Sequence, residues 1–127
     1  RELKRKSCCH KNFKETLDEK RVSELRALAA AELPRRVEYY SEKMRLYPTS
    51  VKITSAATRF GSCSGKNSIC FSYRLMLYPP EAVDYVVVHE LAHIKEKNHS
   101  ARFYALVERY MPDYREREKL LKKTPKL

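Results

Sequence analysis

Val86-Val87-Val88-His89-Glu90-Leu91-Ala92-His93 is the stretch from which the rest of the chain can be read. A four-residue spacing places His89 and His93 one turn apart on the same face of a helix. A tetrahedral zinc ion takes such a pair of imidazoles, and Glu90 between them stands close enough to act on a metal-bound water. The three valines before the pair are an apolar run that would bury such a helix behind a cleft. His99, six residues past His93, supplies a candidate third ligand. Three protein ligands would leave the fourth position open, as in catalytic rather than structural zinc sites. The rival third ligand is a downstream carboxylate, Glu108 first among them. The expected chemistry is hydrolysis, with zinc lowering the pKa of its water toward about 7 and Glu90 relaying the proton.

Working outward, Pro79-Pro80-Glu81 opens the metal helix, with proline suited to the first turn and Glu81 favourable to the dipole. The helix is expected to end near Glu96 or Lys97, with Asn98 in the left-handed conformation. The spacing from His93 to His99 is that of the pattern H-E-x-x-H-x-x-G-x-x-H, with Glu96 standing where the pattern has glycine. Ser100 is a candidate N-cap for a helix whose buried face carries Phe103, Leu106, Val107 and Tyr110. Asp113 and Glu116 form a capping-box-like start for a last helix ending near Lys123.

Upstream, Val51–Ser55 alternates as a half-buried strand, and a second strand is expected from Ser68 through Leu77. Both glycines of the chain lie in Gly61-Ser62-Cys63-Ser64-Gly65-Lys66-Asn67, read as a hairpin or tight loop joining the two strands. That loop is not a phosphate-binding loop: three residues separate its glycines where four are required, and Asn67 follows Lys66. Further upstream Leu25, Ala29, Leu33, Val37, Tyr40 and Met44 make one helical stripe, read as core. Pro34 within it predicts a kink or two abutting helices.

The 127 residues suffice for one modest core. Residues 1–16 read as a basic N-terminal segment, a remnant of a longer chain, and 17–127 as the domain. Charge is +11, from 27 Lys and Arg against 16 Asp and Glu, which favours polyanionic partners; the interleaved acids also fit a solvated surface. No apolar run is long enough to span a bilayer, and none near Arg1 resembles a signal peptide. Cys8, Cys9, Cys63 and Cys70 form no C-x-x-C pair and read as reduced thiols of a cytoplasmic protein, with Cys8-Cys9-His10 a weak second metal motif.

Several further segments carry a resemblance. Thr58–Cys63, Tyr73-Arg74-Leu75, Pro79-Pro80-Glu81 leading into Val86–His93, His99-Ser100 with Arg102-Phe103-Tyr104, and Met111–Arg115 together resemble the YgjP-like metallopeptidase domain, in order, over roughly residues 35 to 123. Phe60, Tyr73 and Tyr104 stand where that family usually has tryptophan, and Ser72 where it has asparagine. The resemblance implies an α+β, zincin-like fold: a small antiparallel sheet packed on a mainly helical domain that carries the HExxH helix. It also implies zinc held by His89, His93 and His99, with Glu90 catalytic, and a longer N-terminal part than this chain shows.

The expected function is therefore a zinc metallohydrolase, foremost a metallopeptidase with its substrate laid along Ile69–Arg74. Arg59, Tyr73 and Arg74 are the candidate substrate-binding residues, and Tyr104 and Tyr110 further candidates for stabilising an oxyanion. One alternative keeps the metal site and hydrolyses a nucleoside triphosphate gripped by Arg59 and Arg74. The other is a non-enzymatic, metal-stabilised domain that binds nucleic acid through its basic surface.

Overall fold

The structure, a computed structural model, describes residues 18–56 and 59–122. The expectations about the N-terminal segment and Cys8-Cys9-His10 lie outside the described residues.

Helix α1 (Glu19–Met44) begins where the Asp18 carboxylate accepts a hydrogen bond from the Arg21 amide, 2.8 Å away. Its stripe of Leu25, Ala29, Leu33, Val37, Ser41 and Met44 is buried. The helix continues through Pro34 as one element, where the sequence predicted a kink or a break between two helices. Pro34 removes the amide that would bond to the Ala30 carbonyl. Both residues lie on the exposed face, so water can take the missing donor's place. Arg45, in the left-handed conformation at φ 57°, returns its amide to Ser41 and ends the helix.

Three strands follow: β1 (Ser50–Thr54), β2 (Gly61–Cys63) and β3 (Ser68–Ser72), in the spatial order β1-β3-β2. β2 and β3 form the hairpin, antiparallel, with Gly61 opposite Phe71 and Cys63 opposite Ile69. β1 runs parallel to β3, Val51 beside Ile69 and Ile53 beside Phe71. The sheet is thus mixed where an antiparallel one was expected, because the supposed connecting loop is itself partly a strand. The turn's left-handed residue is Asn67 (φ 66°), whose amide bonds to Ser64 at 3.0 Å; neither glycine has a positive φ.

The second strand was expected to reach Leu77 but stops at Ser72. There the Ser72 hydroxyl donates to Ala56 at 2.7 Å and accepts from the Arg74 amide, capping a 3-10 turn over Tyr73–Leu77. Beyond Ser72 neither neighbouring strand continues, and the apolar residues of the turn bury themselves against α1 instead.

Helix α2 (Pro80–Lys95) runs through the centre, with Val83, Val86, Val87, Val88, Leu91 and Ala92 buried. It packs on α1, on β2, and on the last two helices, α3 (Ala101–Tyr110) and α4 (Tyr114–Leu121). Ser100 caps α3 as expected, accepting from the Phe103 amide. Asp113 does not complete a capping box; its carboxylate accepts from the Arg117 guanidinium at 3.0 Å instead. No helix among the described residues is long and apolar enough to cross a membrane.

Candidate metal centre

His89 and His93 project from one face of α2, and His99 returns to them from the loop before α3. One ligand nitrogen from each lies within 4.8 Å of the others, the only such group of His, Cys, Asp or Glu among the described residues. The Nε2 atoms of His93 and His99 stand 3.1 Å apart. Ligand nitrogens about 2.05 Å from a tetrahedral ion would be about 3.3 Å apart, so the pair fits one ion with little adjustment. His93 has its other nitrogen engaged: Nδ1 lies 3.0 Å from the Glu96 carbonyl oxygen, to which it donates. That bond fixes the tautomer and leaves the Nε2 lone pair free for a metal. Burial holds the His93 pKa below the ordinary imidazole value, which favours the same neutral form.

The loop reaches this geometry without a glycine. α2 ends at Lys95, and Glu96 is extended at φ −121°, a conformation open to any residue. Asn98 has no positive φ, so the expected left-handed bend there is not formed. The Glu96 side chain lies 3.6 Å from the Arg102 guanidinium, linking the loop to α3.

Phe103, fully buried, is the floor beneath the three rings. Its ring centroid lies 4.4 Å from His93, 4.9 Å from His89 and 5.1 Å from His99. The sequence placed Phe103 on a buried face, but nothing in its spacing signalled contact with all three histidines.

Glu90 is buried at 5% exposure, its carboxylate 3.3 Å from His89 Nδ1. Gly61 covers it from β2. A methyl group on Gly61 would stand 3.1 Å from Glu90 Cγ and 3.3 Å from Oε2. A cavity of about 300 Å³ opens beside His89 and Glu90, between Phe60 on one side and the last turn of α4 on the other. Tyr85, one turn before His89 on α2, lines it with its ring 5.7 Å from His89. Burial, and then the Glu118 carboxylate, push the Tyr85 hydroxyl pKa up, so it keeps its proton. Sequence reading missed Tyr85, although its four-residue offset from His89 puts it on the ligand face.

The predicted substrate-binding residues do not gather here. Tyr73 and Arg74 are buried in the 3-10 turn, the Tyr73 ring under the Arg26 guanidinium of α1. Arg59 is exposed and lines a small cavity with Gly61, Ser62 and Cys70, separate from the cavity beside His89 and Glu90. Glu108, the rival ligand, is exposed on α3 and outside the histidine group. Tyr104 does reach the site, stacked 6.2 Å from His99, whereas Tyr110 sits at the end of α3 under Arg109.

Comparison with known proteins fits this geometry. The model of the YgjP-like, metallopeptidase domain family matches residues 4–124. Among solved structures, the metallopeptidase zymogen of Pyrococcus abyssi abylysin superposes with a TM-score of 0.63, at 23% identity over 69% of this chain and 90% of that one. The zymogen of Methanocaldococcus jannaschii jannalysin gives 0.62, at 21% identity over 72% and 95%. These likenesses establish the α+β, zincin-like fold. No curated protein matches the chain.

Proposed function

The chain belongs to the YgjP-like metallopeptidase domain family, and from that premise we propose that it is a zinc-dependent peptidase in which His89, His93 and His99 hold the metal and Glu90 moves the proton. The observation that carries this reading is the convergence of three imidazoles within 4.8 Å, beside a buried carboxylate. When bound, the ion supplies Lewis-acid polarisation of the scissile carbonyl and acidifies water at the same centre. Glu90 accepts the proton of the attacking water and delivers it to the leaving amine, a transfer worth about 10²–10⁴ in rate. Gly61 leaves the Glu90 carboxylate the space it needs against β2. Phe103 and the Glu96 carbonyl hold the His93 ring in one orientation.

The peptide is placed on β2, in place of the strand first expected. Ile69–Ser72 belongs to β3, which is central and paired on both sides, so it has no free edge. Among the described residues β2 is an edge strand lying against α2, and an extended peptide added to it would run past Glu90. Tyr85 faces the cavity beside that path with its hydroxyl protonated. Nucleotide and nucleic-acid readings draw no support from the site: Arg74 is buried, and Arg59 lines a different cavity from the one beside His89 and Glu90.

Metal stoichiometry and peptide hydrolysis, measured together, test the reading. The wild-type chain is expected to hold one zinc ion and to cleave unfolded protein, with activity lost to a chelator and restored by zinc. His89→Ala, His93→Ala and His99→Ala should each lose metal and activity together. Tight zinc binding that survives all three substitutions would sink the assignment.

A further inference from the structure

We propose that the cavity between β2 and α4 is the specificity pocket of this site, selecting a bulky apolar side chain next to the scissile bond; this rests on the peptidase reading above. The cavity, of about 300 Å³, adjoins Glu90 and His89 directly, so whatever fills it lies next to the reacting groups. At that size it is at the lower end of ligand sites and suits a single large side chain. Its walls are Phe60, just before β2, Tyr85 and Val86 from α2, and Leu121 from α4.

The ring walls are braced from behind. Phe60 meets Tyr78 edge-on at 4.9 Å, and Tyr85 stacks on Tyr114 at 6.5 Å. A pocket held this way keeps its shape and discriminates by size. Besides Glu90 of the reacting centre, its charged lining residues are Glu118 and Lys122, of opposite sign. The Glu118 and Lys122 charges offset, and the remaining Glu90 carboxylate, engaged at the reacting centre, repels an acidic side chain. An ionised side chain would also exchange water for the Phe60, Val86 and Leu121 surfaces, an unfavourable transfer. An apolar side chain gains from the same burial.

Leu121 is the wall on which size selection turns, because it closes the cavity from the last turn of α4 and is only half-buried. Exchanging it therefore changes the pocket without opening the core.

The test measures equilibrium binding, which separates the pocket from catalysis. Zinc-loaded Glu90→Gln protein is titrated with blocked Gly/Ala hexapeptides that differ only in one central residue: Ala, Leu, Phe, Asp or Lys. The Leu and Phe peptides are expected to bind at least about tenfold tighter than the others, the scale of discrimination apolar pockets give. Adding Leu121→Trp should fill the cavity and remove most of that advantage. Adding Leu121→Ala should enlarge it and move the preference toward a Trp peptide. Circular dichroism and zinc content report that each variant is folded. Asp or Lys peptides binding as tightly as Leu, or a profile unmoved by both Leu121 variants, would overturn the proposal. Absence of cleavage of the preferred peptide by the zinc-loaded wild type would instead strike the peptidase reading, with the binding series still deciding the pocket.

Discussion

Gly61 is one of two glycines in the chain, and its backbone has no positive φ that would demand one. The demand is for space. A methyl group there would also stand 3.2 Å from the Cys70 carbonyl oxygen, so it cannot retreat from Glu90 into the sheet. Gly61→Ala should displace the Glu90 carboxylate by a few tenths of an ångström while leaving the three histidines in place. Small misplacements of a reacting group cost rate steeply, so a loss of roughly tenfold or more in kcat is expected, with zinc content unchanged. Kinetics on metal-matched protein check this; unaltered kcat would count against close positioning by Gly61. His93 gives a second expectation at this scale. Burial lowers its pKa in the folded chain below the ordinary 6.5, so the unfolded chain binds the proton first as pH falls. Metal-free protein should therefore lose stability as pH drops through about 6.5 toward the lower folded value. Denaturant midpoints from pH 8 to pH 5 read this, and the slope should shrink in His93→Gln. The histidines and Glu90 were legible because helical spacing alone puts them together. Gly61 and Phe103 were not, since their contacts depend on how β2 and α3 pack against α2.

At the scale of elements, the sequence was most reliable where periodicity was long and least reliable at interruptions. The α1 stripe was legible over its length, and Pro34 misled because packing of Leu33 and Val37 against the core holds the helix through it. Since that proline sits on the exposed face, Pro34→Ala should restore the bond to Ala30 without touching the core. The structure leads us to expect about 2 kcal/mol of added stability, less than the full helix-interior penalty because the unfolded chain gains freedom too. Urea unfolding measures it; a loss of stability would mean that the proline sets the path of α1. β2 went unread because three residues are too few to show alternation, and its glycine resembled turn chemistry. The end of β3 at Ser72 was hidden for a related reason. Aromatic and branched residues continue to Leu77, and what stops the strand is the lack of neighbours to pair with.

Across the whole molecule, the sheet's inner face, α1, α3 and α4 all converge on α2, so the site is built on the most buried helix. That arrangement explains why one eight-residue stretch could announce so much of the fold. It also explains what the stretch could not announce: the cleft walls come from β2 and α4, far away in sequence, and only tertiary packing brings Phe60 and Leu121 beside His89. Arg59 and Arg74 stand apart from the three histidines for the same reason, because residues that share a family pattern need not share a surface. The excess positive charge is spread over this frame and marks no ligand site among the described residues. The account stands most directly on Glu90→Gln, measured for peptide hydrolysis at matched zinc content. A fall in kcat of about 10²–10⁴ with zinc fully retained is expected. Hydrolysis at the wild-type rate by the zinc-loaded variant would contradict the account.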